Sequence, residues 1–480
     1  MSVATAPLVQ ELQRVTNLGF TTNGAVTNTT AHDPVLDFFG LAGAMRDRPS
    51  DAVALFAKAM KAEPLAAVRT LFYLRDVRGG QGERDVFRAC LQHLRFAWPS
   101  TFKQIVQHVP HFGRWDDLFI EGSVIPVGVG ELIKAQWDKD MASALLDGKV
   151  SLMAKWLPST RSKRAESRAL AKNLQLLLGI NQQKYRKGLT LMRGQIDLLE
   201  TYMSTDAWSW LDFSKLPAQA HMRHIKAFRR HTPERYQKYL DSVTRGESKI
   251  NTSTLYPYEL YDRAKSGDSA VDAMWNNLPD YTQGNDALVM VDVSGSMRGR
   301  PMSVSVSLGL YFAERNRGPF KDFFMTFSEK PQLVKVGKGT LLQRIRQMET
   351  STWGYNTDLI RALDTLLQAG MHVGELPSTL YIISDMEFDR AMSLPRGYRA
   401  ETVFELARRQ FAEAGLKLPH IVFWNVNARS ENVPATAFDG NVTLVSGLSA
   451  STFSLVVAGK SPRQLVDEVL TGERYSRIIF

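Results

Sequence analysis

The stretch Asp286-Ala-Leu-Val-Met-Val-Asp292-Val-Ser294-Gly-Ser296-Met297 joins a short apolar run to a carboxylate, then to two hydroxyls at alternate positions. Five apolar residues in a row suit a strand buried on both faces, and Gly295 lets the chain turn tightly after it. Downstream, helical and strand patterns alternate. A helix is expected over 301–317, a strand over 321–327, and helices over 341–348 and 358–369. A strand over 379–384, a helix over 401–414 and a strand over 420–425 complete the series. Alternation at this spacing predicts an open, doubly wound parallel sheet, in which ligands sit beyond the carboxyl ends of the strands. A second apolar strand, Leu380-Tyr-Ile-Ile-Ser384-Asp385, also ends in a carboxylate, and the loop Gly354-Tyr-Asn-Thr357-Asp358 lies between the two.

Upstream the pattern differs. From Pro34 to about Leu240 apolar residues recur every three or four positions, as amphipathic helices require. Examples are 51–60, 64–74 and 83–98. Short breaks such as Arg78-Gly-Gly-Gln-Gly82 and Val109-Pro-His-Phe-Gly113 separate them, so antiparallel helical hairpins are expected. The glycine-rich break lacks the Gly-Lys-Ser/Thr ending and preceding strand of a phosphate loop, and reads as a helix–helix turn. The fold class is α + α/β. An irregular lead-in over 1–33 precedes a helical-repeat module over 34–280, and a parallel-sheet domain with C-terminal helices follows over 285–480.

Composition narrows the function. The single cysteine, Cys90, excludes an internal disulfide and a cysteine-rich zinc module. No stretch approaches the roughly 18 apolar residues of a membrane span, and the N-terminus lacks an export pattern. A cytoplasmic protein with no membrane partner is expected. The chain carries 59 Lys and Arg against 49 Asp and Glu, a net +10. The window 151–250 alone holds 19 basic and 8 acidic residues, so the surplus is local. Such a concentration points to a polyanion.

On one continuous helix, Arg161, Arg164, Arg168 and Lys172 would fall within about 80° of one another, in a row about 16 Å long. Leu170, Leu174 and Leu177 would face the other way. A second helix places Arg223, Lys226 and Arg230 together, away from Ile225 and Phe228, with Arg229, His221 and His224 nearby. Lys155 and the run Lys184-Tyr185-Arg186-Lys187 add charge, with an aromatic ring suited to stacking on an unpaired base. Phosphates along an RNA backbone are the natural partner.

Two resemblances follow. Asp292, Ser294, Ser296, Thr357 and Asp385 resemble the metal-ion-dependent adhesion site of von Willebrand factor A domains. That resemblance implies Mg²⁺ or another divalent cation. The three hydroxyls would ligate directly or nearly so, the carboxylates largely through water, and one position would be left for a partner's acidic oxygen. Hard oxygen donors of this kind suit Mg²⁺. Asp358, next to Thr357, also suits a helix N-terminus. The segments Leu74 to Arg84, Gly113 to Leu118 and Ala154 to Ser159 resemble a divergent branch of the TROVE-module, Ro autoantigen-like family. That family implies HEAT-like helical repeats, a ring closed by an A domain, and binding of small noncoding RNA or single-stranded RNA ends. A non-enzymatic RNA-binding ribonucleoprotein component is the leading expectation. A protein–protein scaffold using the metal site and the solenoid is the alternative, and a metal-dependent hydrolase a third reading.

Overall fold

The computed structural model describes residues 7–119, 122, 124–196, 198–268, 270–282, 286–326, 330–349, 358–389, 400–455 and 460–480. The helical half is punctuated by prolines. Helices Pro34–Leu41, Pro49–Ala62, Pro64–Arg75, Pro99–Ile105, Pro233–Thr244 and Pro257–Lys265 each carry Pro in the first turn, where its missing N–H costs nothing. One to three residues join partners within hairpins, as at Glu63 between 49–62 and 64–75 and at Thr232 between Ala218–His231 and Pro233–Thr244. Cys90 is fully buried in helix Asp85–Ala97, and burial holds its thiol far above the ordinary range.

From Pro7 onward the lead-in carries regular elements where an irregular chain was expected. Helix Pro7–Asn17 runs into a hairpin of β1 (Leu18–Phe20) and β2 (Val26–Asn28). Its Thr- and Asn-rich composition conceals this, because the hairpin is held from outside. The Thr21 hydroxyl donates to the Phe388 carbonyl at 2.7 Å, and the Thr22 amide to Glu387 Oε2 at 2.6 Å. The hairpin therefore belongs in space to the C-terminal half.

That half is built on six strands: β3 (Ala287–Val291), β4 (Phe323–Thr326), β5 (Gln332–Lys335), β6 (Thr379–Ser384), β7 (His420–Asn425) and β8 (Val442–Ser446). Their order is β5-β4-β3-β6-β7-β8, parallel except for the antiparallel edge pair β4–β5. The expected all-parallel sheet is thus mixed. The unforeseen β5 lies at an edge with a half-exposed alternation, unlike the continuous apolar runs of β3 and β6. The chain leaves β3 toward β4 and later returns past it to β6. The chain therefore leaves β3 and β6 toward opposite sides of the sheet, which opens a crevice of the kind that receives ligands beyond their carboxyl ends.

The two halves share one connected apolar core. Helix Pro34–Leu41 packs on β8, and Pro64–Arg75 on the C-terminal helices Pro462–Thr471 and Glu473–Ser476. At the far end, Pro257–Lys265 packs on Arg300–Arg315 and Leu341–Glu349. The helical half therefore meets the sheet half at both its beginning and its end. No helix among the described residues is long and apolar enough to cross a membrane.

Candidate functional site

Register brings the two strand-end carboxylates together. Val291 pairs with Ile383, so Asp292 lies beside Ser384 and one step from Asp385. The Asp292 amide donates to the Ile383 carbonyl at 3.0 Å, carrying the ladder to the carboxylate itself. Ser384 donates its hydroxyl to Asp292 Oδ2 at 2.6 Å, and the Ser294 amide donates to Oδ1 at 2.9 Å. The sequence marks Ser384 only as a strand-end hydroxyl, whereas the structure makes it the residue that fixes Asp292. The hydroxyls of Ser294 and Ser296 are 3.0 Å apart. Asp385 accepts from the Glu387 amide at 3.2 Å through Oδ1.

Its other oxygen, Oδ2, is buried and makes no hydrogen bond of good geometry; the Ser296 hydroxyl still favours the Asp385 charge, and the nearest cation is Arg429 Nη1 at 3.9 Å. Burial, then the charge of Asp385, pushes Asp292 up to about 6, and burial likewise raises Asp385. A buried oxygen without a well-formed hydrogen bond, beside a second buried carboxylate, is an arrangement that a divalent cation would relieve. Among the described residues no three Asp, Glu, His or Cys side chains group as a metal site. Two carboxylates would need the serine hydroxyls and water to complete the shell. Thr357 lies outside the described residues. Asp358 caps helix Leu359–Val373, accepting from the Arg361 amide at 2.9 Å.

The basic segments fold differently from the expected continuous row. The helix begins only at Ala165 and runs to Leu178, with Arg164 at its N-cap and Arg161 in the preceding turn. Arg168 Nη1 donates to the carbonyls of Ser162 and Lys163 at 2.8 and 2.9 Å, holding that turn against the helix. Leu170 and Leu174 are buried, and Leu177 partly so. Tyr185 is not offered to a base. It is fully buried, stacked on Trp137 at 5.4 Å, and donates to the Pro158 carbonyl at 3.0 Å.

In helix Ala218–His231 the expected division holds for Arg223, Lys226 and Arg230, which are exposed, and for Ile225 and Phe228, which are buried. His221 belongs to the core, its Nε2 3.0 Å from the Tyr236 hydroxyl, and burial lowers it to about 4. Arg229 pairs with Asp268 at 3.0 Å, and Lys155 lies 3.8 Å from Glu200. Among the described residues, no carboxylate pairs with Arg161, Arg164, Arg168, Lys172, Lys184, Arg186, Lys187, Arg223, Lys226 or Arg230, all exposed.

The quoted helical segments meet in one network. Asp117, fully buried, accepts from Arg75 Nε at 2.8 Å and from Arg88 Nε at 2.7 Å. Arg114 stands over the Trp156 ring at 4.5 Å. Arg78 to Gly82 is a turn, as expected, but also a junction. Tyr256 donates to the Gln81 carbonyl, and Ser451 to that of Gly80.

A family model described as a domain of unknown function, DUF2828, matches residues 21–118 and 129–288. A second, a domain of unknown function termed DUF7788, matches residues 286–472. An uncharacterized protein of Acanthamoeba polyphaga mimivirus is 30% identical over 490 residues, covering 92% of this chain and 85% of that protein.

Proposed function

This chain belongs to the DUF2828 family, and we propose that it is a non-enzymatic, cytoplasmic RNA-binding component of a ribonucleoprotein particle. The observation that carries the reading is the set of exposed cations on the hairpins 165–194 and 218–244 that lack carboxylate partners among the described residues. A phosphate backbone holds a condensed counterion atmosphere that unpaired surface cations displace on binding, which favours binding at low salt.

In this reading the helical half is a HEAT-like, TROVE-like repeat set closed into a ring by an A-type domain. Closure draws support from the Tyr256–Gln81 bond and from the packing of both ends of the helical half on the sheet half. Small noncoding RNAs, or single-stranded ends, are the substrates such a surface would hold. At the strand ends, Asp292, Ser294, Ser296 and Asp385, with Thr357, would hold Mg²⁺. The ion would supply a coordination position for an acidic oxygen of a partner. Ser384 orients Asp292, and the Glu387 amide orients Asp385.

The test is fluorescence anisotropy of labelled RNA against the full chain over a salt series. Replacing Arg161, Arg164 and Arg168 by Ala should weaken binding and flatten the slope of log affinity on log salt. An unchanged affinity and slope overturns the assignment. A protein–protein scaffold without RNA is the second reading. It is favoured by helix Pro7–Asn17, where Leu8 and Leu12 are 70% and 55% exposed on one face. A protein partner retained after nuclease treatment, with no RNA affinity, would select it.

A further inference from the structure

We infer that a second phosphate-binding surface for RNA lies where the C-terminal segment meets helix Val109–Phe112 and the 78–82 turn, formed by Arg78, His111 and Arg477. The inference rests on the RNA-binding reading but places an RNA-binding surface outside the 151–250 window. Arg477 Nη1 lies 3.5 Å from His111 Nε2, although the two residues are 366 positions apart. Summing charge along the sequence cannot detect a cluster assembled this way.

The neighbourhood is ordered by bonds that use up the nearby acid and leave the cations available. Asp76 accepts from Arg474 Nη2 at 2.7 Å and from the Tyr475 hydroxyl at 3.0 Å, and it is also bonded by Arg474 Nε. Arg474 also stands over the Phe112 ring at 5.7 Å, and Phe112 stacks on Tyr475 at 5.5 Å. Arg69 donates to the carbonyls of Ser476 and Ile478 at 3.1 and 3.2 Å, holding on either side the segment that carries Arg477. Arg78, His111 and Arg477 are exposed, and among the described residues no carboxylate pairs with Arg78 or Arg477.

Burial and the adjacent guanidinium groups, Arg477 foremost, hold His111 below its ordinary value, with Asp76 opposing them. The local field is therefore positive. The Arg477 fork beside the imidazole, with the exposed Arg78 charge near enough to act on that ring, presents donors suited to a phosphodiester oxygen pair. The aromatic rings here are buried in the stack, so the surface offers donors to phosphate and no platform for a base.

The experiment uses the full chain and a labelled single-stranded RNA of roughly 20 nucleotides over a salt series. Arg78→Ala with Arg477→Ala should weaken binding severalfold at low salt and reduce the log–log slope by about 0.7 for each phosphate no longer neutralised. Arg477→Lys, which keeps the charge, should restore most of the slope. A double variant with wild-type affinity and slope overturns the inference. Lys184→Ala with Lys187→Ala, measured in parallel, reports on the helical face. Loss in that variant alone leaves the helical surface standing and refutes this one. Loss in the Arg78/Arg477 variant alone supports this surface and refutes the helical one. A wild-type chain with no RNA affinity overturns both.

Discussion

Tyr256 donates its hydroxyl to the Gln81 carbonyl oxygen at 3.0 Å, joining points 175 residues apart in the chain. The bond ties the end of the helical half to its first turns, at the place where the sheet half also packs. Gly82 makes the approach possible. It has φ +66°, and a Cβ there would lie 1.9 Å from the Tyr256 hydroxyl. Gly82→Ala should therefore cost about 2–3 kcal/mol, from backbone strain and overpacking. Tyr256→Phe alone should cost about 1 kcal/mol. Together they should cost less than their sum, because removing the hydroxyl removes part of the clash. Denaturant unfolding of the four proteins measures this.

Asp117 is buried between Arg75 and Arg88. Asp117→Ala leaves the buried Arg75 guanidinium without its counter-charge, which should cost about 3–5 kcal/mol. Arg114→Ala, on the half-exposed side of the same network, should cost less. Thermal unfolding of both variants tests the order.

Arg168 has two roles, since it carries charge and latches the turn bearing Arg161 and Arg164. Arg168→Ala should therefore reduce RNA affinity more than Lys172→Ala, although each removes one charge. Tyr185→Phe should lower stability by about 1 kcal/mol and leave RNA affinity unchanged. Anisotropy titrations beside melting curves separate the two effects. Equal losses for Arg168→Ala and Lys172→Ala would count against the latch.

Asp385→Asn should stabilise the metal-free chain by removing one of two neighbouring buried charges. It should also abolish any Mg²⁺-dependent rise in melting temperature. The wild-type chain should gain about 2.7 kcal/mol at a Mg²⁺ concentration 100 times its Kd. Calorimetric scans with and without Mg²⁺ decide the matter.

His221 titrates at about 4 in the folded chain, below its ordinary value of about 6.5. The unfolded chain therefore binds more protons between those values. The contribution of neutral His221 is fully present above about pH 6.5 and is lost as pH falls toward 4, a change on the order of 3 kcal/mol. His221→Gln should flatten the acid side of the stability profile.

Much of the sheet was legible because its signals are local. The runs 379–384 and 420–425 match β6 and β7 to the residue, since buried strands show as unbroken apolar stretches. Asp292 and Asp385 were legible for the same reason, each being the first carboxylate after such a run. The hairpin 18–28 and the edge strands β5 and β8 were not, because their pairing comes from distant partners and their own runs are short and broken by polar residues. The helical row failed at one boundary. The period of 3.6 is reliable only within a helix, and this helix starts at Ala165, so Arg161 and Arg164 left the face that arithmetic had assigned them.

The sequence by itself determined which strands end in carboxylates, where helices alternate with strands, and that positive charge gathers between 151 and 250. Period and composition are properties of neighbouring residues, so a one-dimensional reading can reach them. Only the tertiary structure decided which polar groups are available. It buried Tyr185 against Trp137, His221 against Tyr236 and Asp117 between two arginines, and it left Asp385 Oδ2 without a hydrogen bond of good geometry. It also set Arg477 beside His111. Desolvation and charge pairing depend on what lies within a few ångströms in space, and most of those partners are far away along the chain.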